Sequence, residues 1–117
     1  MAYQAKAIHG HQAAPYGKLN ISQGEVLQVE QRPSEWPGWV WVTTTHKTSG
    51  WMPLAYLQET ESGWQSQVEY RDVELNVQPG DELEVLSTQS GWGWCRNPNN
   101  LTGWAPLNIL NPLINPD

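Results

Sequence analysis

Apolar residues occur along this chain in short runs that alternate with polar residues, and no helical period is sustained. Two runs rich in Val and Leu, at residues 26–29 and 83–86, each follow a glycine and an acidic residue. Gly, Pro, Asn and Ser bound such runs, which is typical of short antiparallel strands joined by tight turns. The pattern predicts an all-β protein.

The tryptophan-rich runs predict the strands and turns that follow. Trp39 and Trp41 are expected on one face of their strand, because side chains alternate along a strand. Gly24 and Gly80 are expected in turns that need glycine backbone geometry. A proline closes the next strand, since it cannot donate to a sheet ladder. These elements are strands at 40–45 and 92–96, hairpin turns at 46–49 and 97–100, and strand ends at Pro53 and Pro106.

The chain repeats itself once. LNISQGEVLQV from residue 19 is answered by LNVQPGDELEV from residue 75, GWVW from residue 38 by GWGW from residue 91, and GWMPL from residue 50 by GWAPL from residue 103. Two copies of one small module therefore fill the chain. We expect a first domain at 1–58, a polar linker at 59–66, and a second domain with a C-terminal tail at 67–117.

Composition limits what such modules can do. A module of about 50 residues is marginal alone, but eight Trp and no Phe offset this, because each indole buries roughly 150–250 Å². No apolar run approaches the roughly 18 residues of a membrane span. The first ten residues lack the pattern of a secretion signal, which predicts a cytoplasmic protein. Cys95 is the only cysteine, so no internal disulfide can form, and we expect it to pack as a small apolar residue.

The charge is acidic and uneven along the sequence. The formal net charge is −6; four basic residues face three Glu up to Gln58, whereas two Arg face nine acids from Glu59 onward. Without a basic stripe, attraction to a phosphate backbone has no electrostatic origin. Nucleic acid and anionic membrane are therefore not expected as partners.

The repeated motifs, taken in order, resemble the Src-homology-3 (SH3) domain, twice. The resemblance rests on the order Leu-x-(Ile/Val)-x-x-Gly-(Glu/Asp)-x-Leu-x-Val, then Gly-Trp-x-Trp, then Gly-Trp-x-Pro. It covers roughly residues 5–58 and 67–111. The resemblance implies two small five-stranded barrels in tandem, with a one-turn 3₁₀ helix at 54–56 and at 107–109. It also implies binding of an extended, proline-containing peptide in an aromatic groove.

In the first copy, the resemblance places a peptide-binding groove at five residues. His9 and His11 stand where the family has two tyrosines, and the first loop, 12–18, carries no carboxylate to hold a ligand arginine. The second copy departs further from the family, so a weaker groove or a structural role is expected there. The first groove comprises His9, His11, Trp39, Pro53 and Tyr56, and the second Tyr70, Trp92, Pro106 and Asn108.

Other chemistry finds little support in the sequence. His9 and His11 face the same way on a strand, but a third metal ligand is not evident, so we expect neither metal nor cofactor. No nucleophile elbow or phosphate loop occurs, and an enzyme is not expected. We therefore predict a non-catalytic module that binds a protein or peptide.

Two alternatives remain open. The tryptophan surfaces of a structural tandem protein would be buried by packing between the domains or by dimerisation. The second alternative is a cage of aromatic rings that binds a methylated amine through cation–π attraction.

Overall fold

The computed structural model describes residues 2–13, 19–33 and 37–113. Strands dominate these ranges, which confirms the all-β prediction. No helix in the described part of the chain is long and apolar enough to cross a membrane. The strands are β1 (Tyr3–Ala7), β2 (Asn20–Ile21), β3 (Val26–Glu30), β4 (Trp39–Thr43), β5 (Ser49–Pro53), β6 (Leu57–Thr60), β7 (Gly63–Ser66), β8 (Tyr70–Arg71), β9 (Glu82–Gln89), β10 (Trp92–Arg96), β11 (Thr102–Pro106) and β12 (Leu110–Pro112).

Two single 3₁₀ turns complete the described elements. They span Leu54–Tyr56 and Leu107–Ile109, as the resemblance implied. Each follows a proline with extended backbone, Pro53 or Pro106, which is excluded from continuing the ladder by its missing N–H.

The chain forms two compact units, and one of them is discontinuous in sequence. Unit 1 consists of Met1–Ala14 and Val73–Asp117, and unit 2 of Pro15–Asp72. Unit 1 carries two basic residues against five acids, and unit 2 carries four against seven, so each has a formal net charge of −3. The charge imbalance seen along the sequence is thus absent between the folded units.

Unit 2 contains a five-stranded sheet in the order β5-β4-β3-β7-β6 and a separate two-stranded sheet of β2 and β8. Alternation along β4 buries Val40 and Val42 and leaves Trp39 and Trp41 half-buried on the opposite face. Met52 lies opposite Val40 and is fully buried. The other buried apolar residues of this unit include Leu19, Ile21, Leu27, Pro53, Leu57 and Tyr70. Two polar residues, Thr44 and Ser66, are buried with them.

Unit 1 contains a sheet in the order β11-β10-β9-β1-β12. Its strands correspond one for one to those of the other five-stranded sheet. Trp92 lies opposite Pro106 as Trp39 lies opposite Pro53. The core of this unit includes Ala5, Ala7, Leu75, Val77, Leu83, Val85, Cys95, Ala105 and Leu110. Among the described residues, none of the three sheets closes into a barrel.

The two copies exchange their first strands. Strand β1, from the first copy, pairs with β9 and β12 of the second, whereas β7 pairs with β3 and β6 of the first. The domain division at 1–58 and 67–117 is therefore not the one that the structure has. The proposed linker at 59–66 is likewise wrong, because β6 and β7 form an antiparallel hairpin across it.

Local turn chemistry explains the new hairpin and the repeated ones. In the β6–β7 turn, the Thr60 hydroxyl donates to the Gly63 carbonyl at 2.7 Å, and Gly63 has a φ of 117°. Only glycine adopts such a backbone without strain. In the predicted hairpins at 46–49 and 97–100, Lys47 and Asn100 each take a φ of 66°. Equal angles at repeat-equivalent positions show that the two copies share one turn geometry.

Candidate functional site

An aromatic surface of unit 2 begins at Trp39 on β4. Trp39 lies directly opposite Pro53 on β5, so their side chains lie on the same face of the sheet. The amide of Leu54 donates to the carbonyl of Gly38 at 2.8 Å. This bond fixes the first 3₁₀ turn beside the start of β4 and thereby positions Tyr56 at the end of that turn.

Tyr70 on β8 completes this surface. Its ring lies 6.0 Å from that of Tyr56, with 62° between the ring planes. Its hydroxyl donates to the Trp51 carbonyl at 2.8 Å, and only 4 % of the residue is exposed. Tyr70 is therefore held in place in the interior, whereas Tyr56 is half-buried and partly accessible. We call Trp39, Pro53, Tyr56 and Tyr70 the unit 2 groove.

The same face of β4 and β5 continues with a second pair of tryptophans. The rings of Trp41 and Trp51 lie 5.4 Å apart in an edge-to-face arrangement, and the Arg32 guanidinium lies 4.4 Å from the Trp41 ring centroid. Trp94 and Trp104 form the equivalent pair in unit 1, also at 5.4 Å. All four indoles therefore pack against a neighbouring ring.

Unit 1 builds a corresponding surface from different side chains. Trp92 lies opposite Pro106, and the His11 ring meets Trp92 edge-on at 5.6 Å. Nε2 of His11 lies 2.7 Å from Oε1 of Glu74. The backbone of His11 exchanges two hydrogen bonds of 2.8 Å with Val77. We call His11, Glu74, Trp92, Pro106 and the exposed Asn108 the unit 1 groove.

The structure distributes the predicted groove residues differently from the sequence-based assignment. Trp39, Pro53 and Tyr56 lie in unit 2, whereas His9 and His11 belong to unit 1, where Trp92, Pro106 and Asn108 also lie. His9 is exposed, and His11 is half-buried. Tyr70 moves in the opposite direction, to unit 2. The reason is the strand exchange. Groove residues that lie on or just after the first strand of one copy join the unit formed by the other copy.

Sequence reasoning missed Glu74 and the partnership of Tyr56 with Tyr70. The second becomes visible only from the strand pairing in the structure. Ala7 and Ser66 both lie opposite a repeated leucine, Leu110 and Leu57, so the first strands of the two copies are 59 residues apart. That alignment makes Tyr70 the counterpart of His11.

Reactive groups are scarce around these surfaces. Within the described ranges, no group of three or more His, Cys, Asp and Glu residues is arranged to hold a metal ion. Cys95 is fully buried and its Sγ donates to the Gly93 carbonyl at 3.4 Å. Burial raises the pKa of the Cys95 thiol from 9.0 to about 12. Because the thiolate is the nucleophile, this cysteine is inert at neutral pH.

The arrangement is therefore suited to contact binding. The unit 2 groove offers the half-buried rings of Trp39 and Tyr56, whereas the predicted groove residue Pro53 is fully buried beneath the surface and supports them. The unit 1 groove adds an imidazole and a carboxylate, and its Pro106 is likewise buried. No protein-family model matches the sequence, and a search of curated proteins finds no match.

Proposed function

We propose that the protein is a non-catalytic interaction module of SH3-like type, and that the unit 2 groove binds an extended, proline-containing peptide. The observation that carries this proposal is the convergence of Tyr56 and Tyr70, 6.0 Å apart, beside the facing pair of Trp39 and Pro53. We also propose that each five-stranded sheet curls in the manner of a small SH3-like barrel around its core.

The chemistry of the groove favours an extended ligand. Aromatic rings held at fixed angles leave shallow depressions between them, into which the apolar rings of a polyproline II segment fit. Such a segment is already extended, so little conformational entropy is lost when it binds. Trp39 and Tyr56 supply large contact areas with few rotatable bonds, which lowers the ordering cost on the protein side.

Charge is expected to contribute a modest part of this interaction. The carboxylate of Asp72 accepts the Leu19 amide at 2.7 Å, so at least one of its oxygens is already engaged in the fold. Glu69 directly precedes Tyr70 and is exposed. A ligand arginine is therefore expected to gain a small attraction to Glu69, and affinity should fall slightly between low and physiological salt.

The unit 1 groove is proposed as a second, weaker site. Its imidazole is held between Glu74 and Trp92 rather than presented as a wide phenol ring. An exposed amide at Asn108 offers hydrogen bonds to a peptide backbone. This surface has less aromatic area than the unit 2 groove, so it should contribute less binding energy.

The test compares two pools of peptides of equal length. One pool is proline-rich, and the other has the same sequences with every proline replaced by alanine. Binding is followed by tryptophan fluorescence and by calorimetry on the full chain. The proposal expects saturable binding of proline-rich members and loss of acrylamide quenching at Trp39 when they bind. Equal binding of both pools, or no binding with Trp39 shielded from acrylamide in the free protein, would favour a structural role for the tryptophan surface.

A further inference from the structure

Strands β1 and β7 occupy equivalent places in the two five-stranded sheets. Ala5 of β1 lies opposite Leu83, and Trp64 of β7 lies opposite Leu27. Leu27 and Leu83 are the same position of the repeated motif, LNISQGEVLQV and LNVQPGDELEV. Residue for residue, Ala5 and Trp64 therefore fill the same site in their respective units.

The two sites differ in the space that they offer. Ala5 is 0 % exposed and is enclosed by the core around Leu83 and Leu110. Trp64 lies on the same face as the buried Leu27 and is half-buried. An indole in the place of Ala5 would require a close-packed core to open, and an alanine in the place of Trp64 would leave apolar surface without partners.

Chain length does not decide between the two arrangements. Eighteen residues connect β1 to β3, its potential partner in its own copy, and fifteen connect β7 to β9. Segments of that length span up to about 50 Å when extended, so chain length allows each first strand to pair within its own copy. A side-chain determinant is needed to select one pairing.

We propose that the difference in size between Ala5 and Trp64 selects the exchanged pairing, and that Trp64 is thereby a positioning residue for the unit 2 groove. Tyr70 follows Trp64 on the same segment, so placing β7 beside β3 brings Tyr70 to Tyr56. In the unexchanged pairing, His11 would take the place of Tyr70. The consequence for binding rests on the proposed function, whereas the assignment of strands does not.

Paired cysteines report the strand pairing directly. Lys6 and Glu82 are neighbours across β1 and β9, and both are exposed. Val26 is the repeat counterpart of Glu82 and is also exposed. Cross-strand neighbours lie within disulfide reach. Mild oxidation should therefore close K6C/E82C in the present fold, whereas K6C/V26C should close only if β1 returns to its own copy.

The decisive variants alter the size difference. With Trp64→Ala, positions 5 and 64 hold side chains of equal size, and the K6C/V26C disulfide should rise from below about one molecule in a hundred to at least about one in ten. With Ala5→Trp and Trp64→Ala together, K6C/V26C should become the major species. Trp51→Ala removes a half-buried indole from the same unit without touching β1 or β7, and it should leave K6C/E82C as the major species.

The outcomes separate this inference from the proposed function. If Trp64→Ala and the double variant both retain K6C/E82C alone, the size difference does not select the pairing and the inference is wrong. If the disulfides change as expected but affinity for a proline-rich peptide does not, the strand assignment holds and the unit 2 groove is not the binding site. Trp64→Ala alone suffices for this decision should the double variant not fold.

Discussion

Tyr56 and Tyr70 face each other at 6.0 Å although the repeat assigns them to different copies of the module. Tyr56 ends the first 3₁₀ turn of its copy, and Tyr70 arrives on the exchanged segment that begins with β7. The amide of Gln67, on that segment, donates to the Tyr56 carbonyl at 2.8 Å. The unit 2 groove is thus a product of both copies.

The hydroxyl of Tyr70 is expected to stabilise this groove without being needed by a ligand. Tyr70→Phe removes the bond to the Trp51 carbonyl, and we expect a loss of about 1 kcal/mol in the free energy of unfolding. Affinity for a proline-rich peptide should stay within about twofold, because the ring remains in place. Urea denaturation and calorimetry measure the two quantities. Tyr3→Phe, at an exposed position, is the control, and an equal loss there would contradict the structural role of the bond.

Trp39 is expected to be the main anchor for a ligand. Aromatic anchors commonly contribute about 2 kcal/mol or more, so Trp39→Ala should weaken binding at least about thirtyfold. Its side chain is half-buried on the groove face rather than in the core, so far-UV dichroism should remain that of a β protein.

Trp92→Ala is the matched control, because Trp92 has the same place opposite a proline in unit 1. It should reduce affinity by less than about threefold, if unit 2 is the principal site. A ligand that tolerates Trp39→Ala but is lost with Trp92→Ala would make unit 1 the receptor.

The strands and turns of both copies follow from local sequence. Alternation around Val40 and Val42, proline at positions 53 and 106, and glycine at positions 24 and 80 each have a local physical cause. Gly24 and Gly80 indeed take φ angles of 89° and 94°. These features need no knowledge of which strand lies beside which.

The exchange of first strands could not be obtained in the same way. Two copies with the same motif offer each first strand two equivalent sheets, and local propensity does not distinguish them. The domain bounds, the linker and the placement of His9, His11 and Tyr70 all depended on that choice. The available clue was the contrast between Ala5 and Trp64, which has meaning only once their equivalence is recognised.

The contact between His11 and Glu74 is expected to stabilise unit 1. Nε2 and Oε1 are 2.7 Å apart, and about a fifth of each side chain is exposed. A double-mutant cycle with His11→Ala and Glu74→Ala should give a coupling free energy of about 1 kcal/mol in urea denaturation. The more exposed pair of Arg32 and Glu30 is the comparison and should give about half that value or less. Equal coupling in both pairs would argue against a specific role for His11.

The buried thiol of Cys95 predicts a loss of stability at alkaline pH. Its pKa is about 12 in the folded protein against 9.0 ordinarily. Between these values the unfolded chain binds fewer protons than the folded one, so this group lowers the free energy of unfolding as pH rises. Well below pH 9 both states hold the proton and the contribution is constant. Denaturation at pH 7 and pH 10.5 should show a smaller pH-dependent loss in Cys95→Ala than in the unaltered protein, and parallel losses would contradict the burial of a neutral thiol.

Cleavage of the hairpin between β6 and β7 tests the exchange without changing any core residue. The turn at Glu61 and Ser62 is exposed, so a protease site inserted there can be cut in the folded protein. Each fragment then supplies strands to both units: the first contributes β1 to unit 1, and the second contributes β7 to unit 2. If the fragments separated, each unit would lose an interior strand of its sheet. The fragments should therefore co-elute from a size-exclusion column in native buffer and separate only in denaturant. A matched site in the exposed turn at Asn99 and Asn100 leaves both exchanged strands on one fragment. Fragments cut at 61–62 that separate in native buffer and each retain β dichroism would show that every copy completes its own sheet.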